Sequence, residues 1–241
     1  MTMAGGPDSQ DLPAARSVLA VCAHPDDESF GLGAVLDRFV ENGALVSVLC
    51  FTRGEASTLG ITEAALDELR SAELARAAAE LGVARVELTA HPDGSLESEP
   101  LDQLAAEVAA MALEVGAELL VVFDEDGVTD HPDHRRATQA ALAGAPGLAA
   151  LAWTVPRSVS QVLNAELGTT FIGRPEEEID LVLRVDRARQ HRAIACHQSQ
   201  STNNPVLRRR LELLGDTESL HWLRKADPHV PPRLPHHPRR P

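Results

Sequence analysis

Short apolar runs alternate with longer amphipathic stretches through the first two thirds of the chain. Residues 18–22, 44–51, 83–89 and 117–123 are rich in Val and Leu with little polar alternation, the pattern of strands buried on both faces of a sheet. Between them, 30–42, 62–81 and 101–115 carry helical spacing and stop at Gly43, Gly82 and Gly116, where a left-handed residue can close a helix. Thr62 stands at a plausible N-cap. Strand, helix and strand in repetition predict right-handed crossovers and a parallel sheet covered on both sides.

Beyond Pro146 the pattern is fainter. Residues 148–155 and 179–185 read as further strands, Asp186 as the cap of a helix running to about His197, and 205–214 as a short helix. Composition adds the domain limits. At 241 residues with 44% hydrophobic content the chain can bury one substantial core, which is assigned to 17–225. Residues 1–16 hold Gly, Pro and Asp but no basic start and no apolar h-region, so neither a signal peptide nor a membrane span is expected. Residues 226–241 are rich in Pro and basic residues. Both ends are predicted to be disordered, and His229, His236 and His237 are read as part of a solvated tail. The net charge of −14 argues against nucleic acid as a partner. Cys22, Cys50 and Cys196 are too few and too scattered for a disulfide framework, and a cytoplasmic protein with reduced thiols is the expectation.

The candidate chemistry lies where two of the strands end. Ala23-His24-Pro25-Asp26-Asp27-Glu28 follows the first, and Asp130-His131-Pro132-Asp133-His134 follows the run 117–123. Open parallel sheets gather their chemistry at the carboxyl ends of strands, so the two clusters point to one shared site. A catalytic zinc takes three N or O ligands and lowers the pKa of its water toward ~7. His24, one Asp of the first cluster and one His of the second supply such a set. The remaining Asp is then available as a general base, and the remaining His to donate a proton or stabilise an oxyanion. These are the parts needed for amide or ester hydrolysis. Gly31-Leu32-Gly33 is a poor dinucleotide fingerprint, because Leu36 occupies the third glycine position.

As a pair, the two motifs resemble the signatures of the LmbE-like (PIG-L) zinc-dependent deacetylases, which remove acetyl from N-acetylglucosamine conjugates. Thr52-Arg53-Gly54-Glu55, Arg70-x-x-Glu73, Asp93-Gly94 and His197-Gln198-Ser199-Gln200 extend the likeness over about 18–225. The resemblance implies a Rossmann-like three-layer α/β sandwich with a mostly parallel central sheet. It makes His24, Asp27 and His134 the metal ligands and Asp26 the general base, with His131 as oxyanion stabiliser and acid and Asp133 orienting its imidazole. Thr129 departs from relatives that carry a Tyr two residues before this His, and the chain contains no Tyr.

Arg53, Glu55, Arg70, Asp93 and His197 are the candidate substrate contacts, with specificity expected from loops 53–61, 90–100 and 156–175. Trp153 and Trp222 are the available stacking surfaces. Zn2+ is the expected cofactor, although a His2Asp set also suits Fe2+. The expected partner is a small glycoconjugate, and the resemblance adds homo-oligomer formation. A hydrolase of another amide or ester, or a non-catalytic metal-binding protein on the same fold, are the alternatives. The spare carboxylate of Asp26 favours an enzyme.

Overall fold

The computed structural model describes residues 11–58 and 66–226. Seven strands form one sheet: β1 (Ser17–Cys22), β2 (Leu45–Thr52), β3 (Arg85–His91), β4 (Leu119–Phe123), β5 (Ala149–Thr154), β6 (Leu181–Arg184) and β7 (Thr217–Arg224), in the order β3-β2-β1-β4-β5-β7-β6. β1 to β5 are parallel, and β7 runs antiparallel to both β5 and β6. The α/β class and mostly parallel sheet expected from the alternation are therefore present. β1 pairs with β2 on one side and β4 on the other, so the chain reverses its direction of winding between these strands. A crevice opens at their carboxyl ends.

Period-two geometry explains why β1 reads as continuously apolar. Val18, Ala20 and Cys22 enter the core layer beneath α2 (Gly33–Glu41), with its Val35, Leu36 and Phe39. Leu19 and Val21 enter the opposite layer, beneath α4 (Leu101–Glu114) and α6 (Pro132–Gly144). The last two helices approach closely at Gly144, where a Cβ would lie 2.3 Å from the carbonyl oxygen of Ala105. Substitution there would force the pair apart.

The remaining helices are α1 (Asp27–Phe30), α3 (Leu66–Leu81), α5 (Gly127–Asp130), α7 (Arg157–Leu167), α8 (Ala188–Cys196), α9 (Gln198–Ser201) and α10 (Pro205–Leu214). Several differ from the sequence expectations. The helix predicted over 30–42 starts later, as α2 at Gly33, and the separate short helix α1 precedes it. The elements α6, α7 and β7 were not predicted, and the presumed loop 156–175 contains α7. Asp186 does accept from the amide of Ala188 at the start of α8, at 2.8 Å. In the leading segment, Leu12 packs into the core and Arg16 pairs with Glu118. Thr62, the tail histidines and most of the two presumed disordered ends lie outside the described residues. No helix of the described residues is long and apolar enough to cross a membrane.

β7 carries buried polar groups, and one of them ties the sheet to the loop after β4. Asp124, fully buried, accepts from Arg174 through both oxygens, at 2.9 and 2.8 Å, and from His221 at 2.9 Å. Burial alone would raise this carboxyl, but His221 and Arg174 outweigh it and hold it well below the usual carboxylate range. A carboxyl lowered on folding stabilises the native state above its unfolded pKa, and that contribution is lost as pH falls through the folded value. We therefore expect acid to weaken the fold below about pH 4, in part through this group. Asp124→Asn should cost ~1–3 kcal/mol at neutral pH, because it takes the buried charge away from the hydrogen bonds of Arg174 and His221, while Arg174 keeps Glu178. Urea unfolding of both proteins at pH 7 measures the difference; equal midpoints and slopes would contradict it.

Candidate active site

Both motifs are helix beginnings. β1 ends at Cys22, and Asp26 is the N-cap of α1. Asp27 reaches back, its Oδ2 accepting from the amides of Ala23 at 3.0 Å and His24 at 2.9 Å. In the second motif His131 is the N-cap of α6 and Pro132 opens the helix, a position where the missing amide proton is no loss. Asp133 and His134 then project from its first turn. Before them, Val128 and Asp130 have φ of 63° and 58°, an uncommon conformation for a β-branched residue in particular.

The hydrogen bonds fix which nitrogen of each imidazole is free. Nε2 of His24 lies 3.3 Å from Asp133 and 3.1 Å from Asp93, so it carries the proton and Nδ1 presents its lone pair. His134 donates from Nδ1 to the carbonyl oxygen of Gly127 at 3.1 Å, leaving Nε2 as the acceptor. These two unprotonated nitrogens face each other at 3.2 Å, with Asp27 Oδ1 3.1 Å from Nε2 of His134. Tetrahedral ligands ~2.05 Å from a zinc ion stand ~3.3 Å apart. His24, Asp27 and His134 thus fit a divalent cation by donor chemistry and spacing. Burial opposes a charge on His24, but Asp133, Asp93 and Asp27 outweigh it and push the imidazole up to about 10, so a bound cation would take the place of a proton at Nδ1. The cage is arranged to hold positive charge.

Asp26 lies beside this set. Its φ of 130° is strained for a residue with a side chain, and the conformation is held from two directions. Glu28, fully buried, accepts its backbone N–H at 3.0 Å, and Arg70 donates to its Oδ2 at 3.0 Å. Arg70 is itself anchored on the carbonyl oxygens of Gly54 and Pro25, both at 2.6 Å. Burial raises the Asp26 carboxyl, Arg70 lowers it and Asp27 raises it, and the balance lies at about 6. That value suits a general base working near neutrality.

Two assigned roles change. Asp133 does not orient the imidazole of His131: its carboxylate accepts from the amides of Gly94 at 2.8 Å and Leu96 at 3.0 Å and backs His24. Its place in the first turn of α6 aims it at the loop after β3. Meanwhile His131 Nδ1 accepts from the amide of Asp133 at 3.2 Å, so its proton sits on Nε2. Burial, then His134 and His24, push this imidazole down to about 4. The geometry favours a neutral hydrogen-bond donor over the charged acid expected from the motif.

The candidate substrate contacts separate into three groups. Arg70 and Asp93 line a cavity of about 470 Å³ that opens over His24, Asp27 and His134, a volume suited to a sugar-sized ligand. Arg53 is largely exposed and faces Asp67 at 3.7 Å, outside the cavity lining. Glu55 also lies outside it, accepting from the amide of Asp93, so it positions that loop. His197 is fully buried behind the site, bonded at 2.7 Å to Glu28, and supports the strained Asp26 through it.

Sequence reasoning missed the contribution of the last helices. Gln200, Asn204 and Arg210 line the cavity, whereas no described residue of 156–175 does. Of the two tryptophans, Trp153 forms part of the wall, with Phe123 at 5.2 Å, and Trp222 does not. The polar face of 205–214 was the available signal.

Residues 19–145 match the family model for GlcNAc-PI de-N-acetylase, PIG-L. A 1D-myo-inositol 2-acetamido-2-deoxy-alpha-D-glucopyranoside deacetylase of Kineococcus radiotolerans is 32% identical over 205 residues, covering 70% of this chain and 55% of that protein. The chain thus spans about half the length of that relative. One of the same name from Salinispora arenicola is 28% identical, covering 80% of this chain and 78% of that protein. Among solved structures, N,N'-diacetylchitobiose deacetylase from Pyrococcus horikoshii superposes with a TM-score of 0.64 at 21% identity, over 87% of this chain and 84% of that one. GalB, the 4-carboxy-2-hydroxymuconate hydratase from Pseudomonas putida, gives 0.65 at 19% identity, over 91% and 99%; these two show shared fold. The family match takes in both motif clusters and the strands that carry them, and by it this chain belongs to the PIG-L (LmbE-like) family.

Proposed function

We propose that this protein is a divalent-metal-dependent hydrolase that removes the acetyl group from an N-acetylglucosamine-type small glycoconjugate, with zinc as its ion. The observation that carries the reading is the pairing of two kinds of site in one crevice. Two imidazole lone pairs and a carboxylate converge on one point, and a second carboxylate poised near neutrality stands next to them. A metal-binding protein has no use for Asp26 in a strained, doubly supported conformation.

A bound ion supplies Lewis acidity and brings water within reach of deprotonation near pH 7. Asp26, oriented by Arg70, takes the proton of the attacking water and returns it to the amide nitrogen as the C–N bond breaks, so that acetate and the free amine leave. His131 donates from Nε2 to the oxygen on which negative charge develops, the load that the missing Tyr carries in some relatives. Asp93 and Asp133 hold His24 in the tautomer that leaves Nδ1 free, as carboxylates behind ligating histidines commonly do. The acetamido sugars named for the relatives in Kineococcus and Salinispora, and the size of the cavity, support the substrate class. The same fold also carries a hydratase, so the reaction must be assigned by assay.

Acetate release from a panel of N-acetylglucosaminides, with metal-loaded and chelated protein side by side, tests the proposal. Release confined to the loaded protein is expected; none from any member would refute the substrate class. His131 offers a finer check. Loss of one oxyanion donor costs ~10²–10³ in kcat, so His131→Ala should fall by that much with metal content unchanged. His131→Gln retains an N–H donor and should recover part of the loss. Equal inactivity of the two variants would point instead to proton transfer by the imidazole.

A further inference from the structure

Among the described residues, one buried arginine on the cavity wall forms no ion pair. Of the three arginines that are buried among the described residues, Arg70 pairs with Asp26 and Arg187 with Glu218. Arg210, on α10, pairs with no carboxylate of the described residues. It is 8% exposed, its Nη2 donates to the carbonyl oxygen of Phe30, and its Nε has no partner. Its guanidinium carbon lies 5.1 Å from the centre of the Trp153 ring. Glu218, whose charge favours the Arg210 cation, accepts its hydrogen bonds from Arg187 and from Trp153 Nε1 instead. Burial pushes the Arg210 guanidinium down to about 10, so it remains a cation at neutral pH.

A buried guanidinium with one carbonyl acceptor and no paired carboxylate is costly even over the face of Trp153 and within the field of Glu218. A planar donor fork of this kind is best satisfied by a carboxylate or phosphate, which it meets with parallel hydrogen bonds. The placement is suited to substrate. Phe123 stacks on His134 at 4.7 Å, Trp153 meets Phe123, and Arg210 lies over Trp153. A row of ring contacts therefore leads from a metal ligand to the cation, along a wall that a sugar lying in the cavity would follow. The cavity lining includes the acids Asp26, Asp27 and Asp93, and Arg210, which feels the charge of Asp26 and Asp27 without pairing with either, adds a basic group to it.

We infer that Arg210 is a specificity-determining residue that binds an anionic oxygen group, carboxylate or phosphate, carried by the substrate away from its acetamido group. This inference rests on the proposed hydrolysis of an acetamido sugar. Three substrates test it on the metal-loaded full chain: methyl N-acetylglucosaminide, its carboxymethyl counterpart with the anion on the aglycone, and methyl N-acetylglucosaminide 6-phosphate with the anion at C6. The charged hydrogen bonds at stake are worth ~10–100-fold. Wild-type protein should prefer at least one anionic substrate by ~10-fold or more. Arg210→Gln should abolish that preference, mainly through KM, and Arg210→Lys should retain part of it; the carboxylate and phosphate arms identify which anion is recognised. A wild type without preference, or a loss equal on neutral and anionic substrates, would overturn the inference. Should no substrate be turned over, the proposed hydrolysis fails, and calorimetry with the three corresponding amines decides the role of Arg210 separately. Tighter binding of an anionic amine, lost in Arg210→Gln and partly kept in Arg210→Lys, supports it; equal affinities refute it.

Discussion

Asp27→Ala should leave the protein without its divalent ion and take acetate release below detection. The Asp27 carboxylate has two tasks, since Oδ1 faces His134 and Oδ2 holds the amides of Ala23 and His24. Its removal subtracts one of three ligands and also loosens the turn that aims the Nδ1 lone pair of His24. Two imidazoles hold an ion poorly against water, so occupancy should collapse. Asp27→Asn separates the two tasks. An amide oxygen in the Oδ2 position can still accept from the backbone, so the fold should survive while the anionic ligand is lost. Elemental analysis after purification in parallel, alongside circular dichroism, reads both. A folded Asp27→Ala or Asp27→Asn protein with wild-type metal content would remove Asp27 from the ligand set.

How much of this was legible beforehand depended on what each residue answers to. β1, β2, β4 and β5 are buried on both faces, so nearly every position answers to the demand to be apolar, and the runs stand out. α10 was legible from Pro205 to Leu214 because proline opens it and its spacing is regular. β7 was not, since buried Glu218 and His221 make it a strand of mixed polarity whose polar groups only tertiary partners justify: Arg187 and Trp153 for one, Asp124 for the other. The site divides in the same way. His24, Asp27 and His134 are marked by two compact motifs, and they converge as the motifs imply. The roles of Asp133 and His131 depend on which nitrogen faces which oxygen, and no spacing carries that information. Arg210 lies 76 residues beyond His134 in the sequence, and its meaning comes from a missing partner, visible only when the neighbours are in place.

The proposed division between base and ligand makes Asp26→Asn the most informative substitution. Asparagine tolerates positive φ better than alanine, so at 130° it disturbs the α1 cap least, and its amide oxygen can still accept from Arg70. Metal content and unfolding should match the wild type, while kcat should fall by the ~10²–10⁴ typical of a lost general base. The pH profile gives an independent reading. Burial raises the Asp26 carboxyl to about 6 against the opposing charge of Arg70, and a base acts only when ionised. kcat/KM should therefore fall with acid as Asp26 gains a proton, and a bound cation, favouring the carboxylate, sets this limb at or below that pH. Arg70→Gln removes the charge that holds the carboxyl down, so the limb should move to higher pH. The limb should vanish in the residual activity of Asp26→Asn. A limb that persists in Asp26→Asn and stays in place in Arg70→Gln would assign the titration to another group and return Asp26 to a structural part.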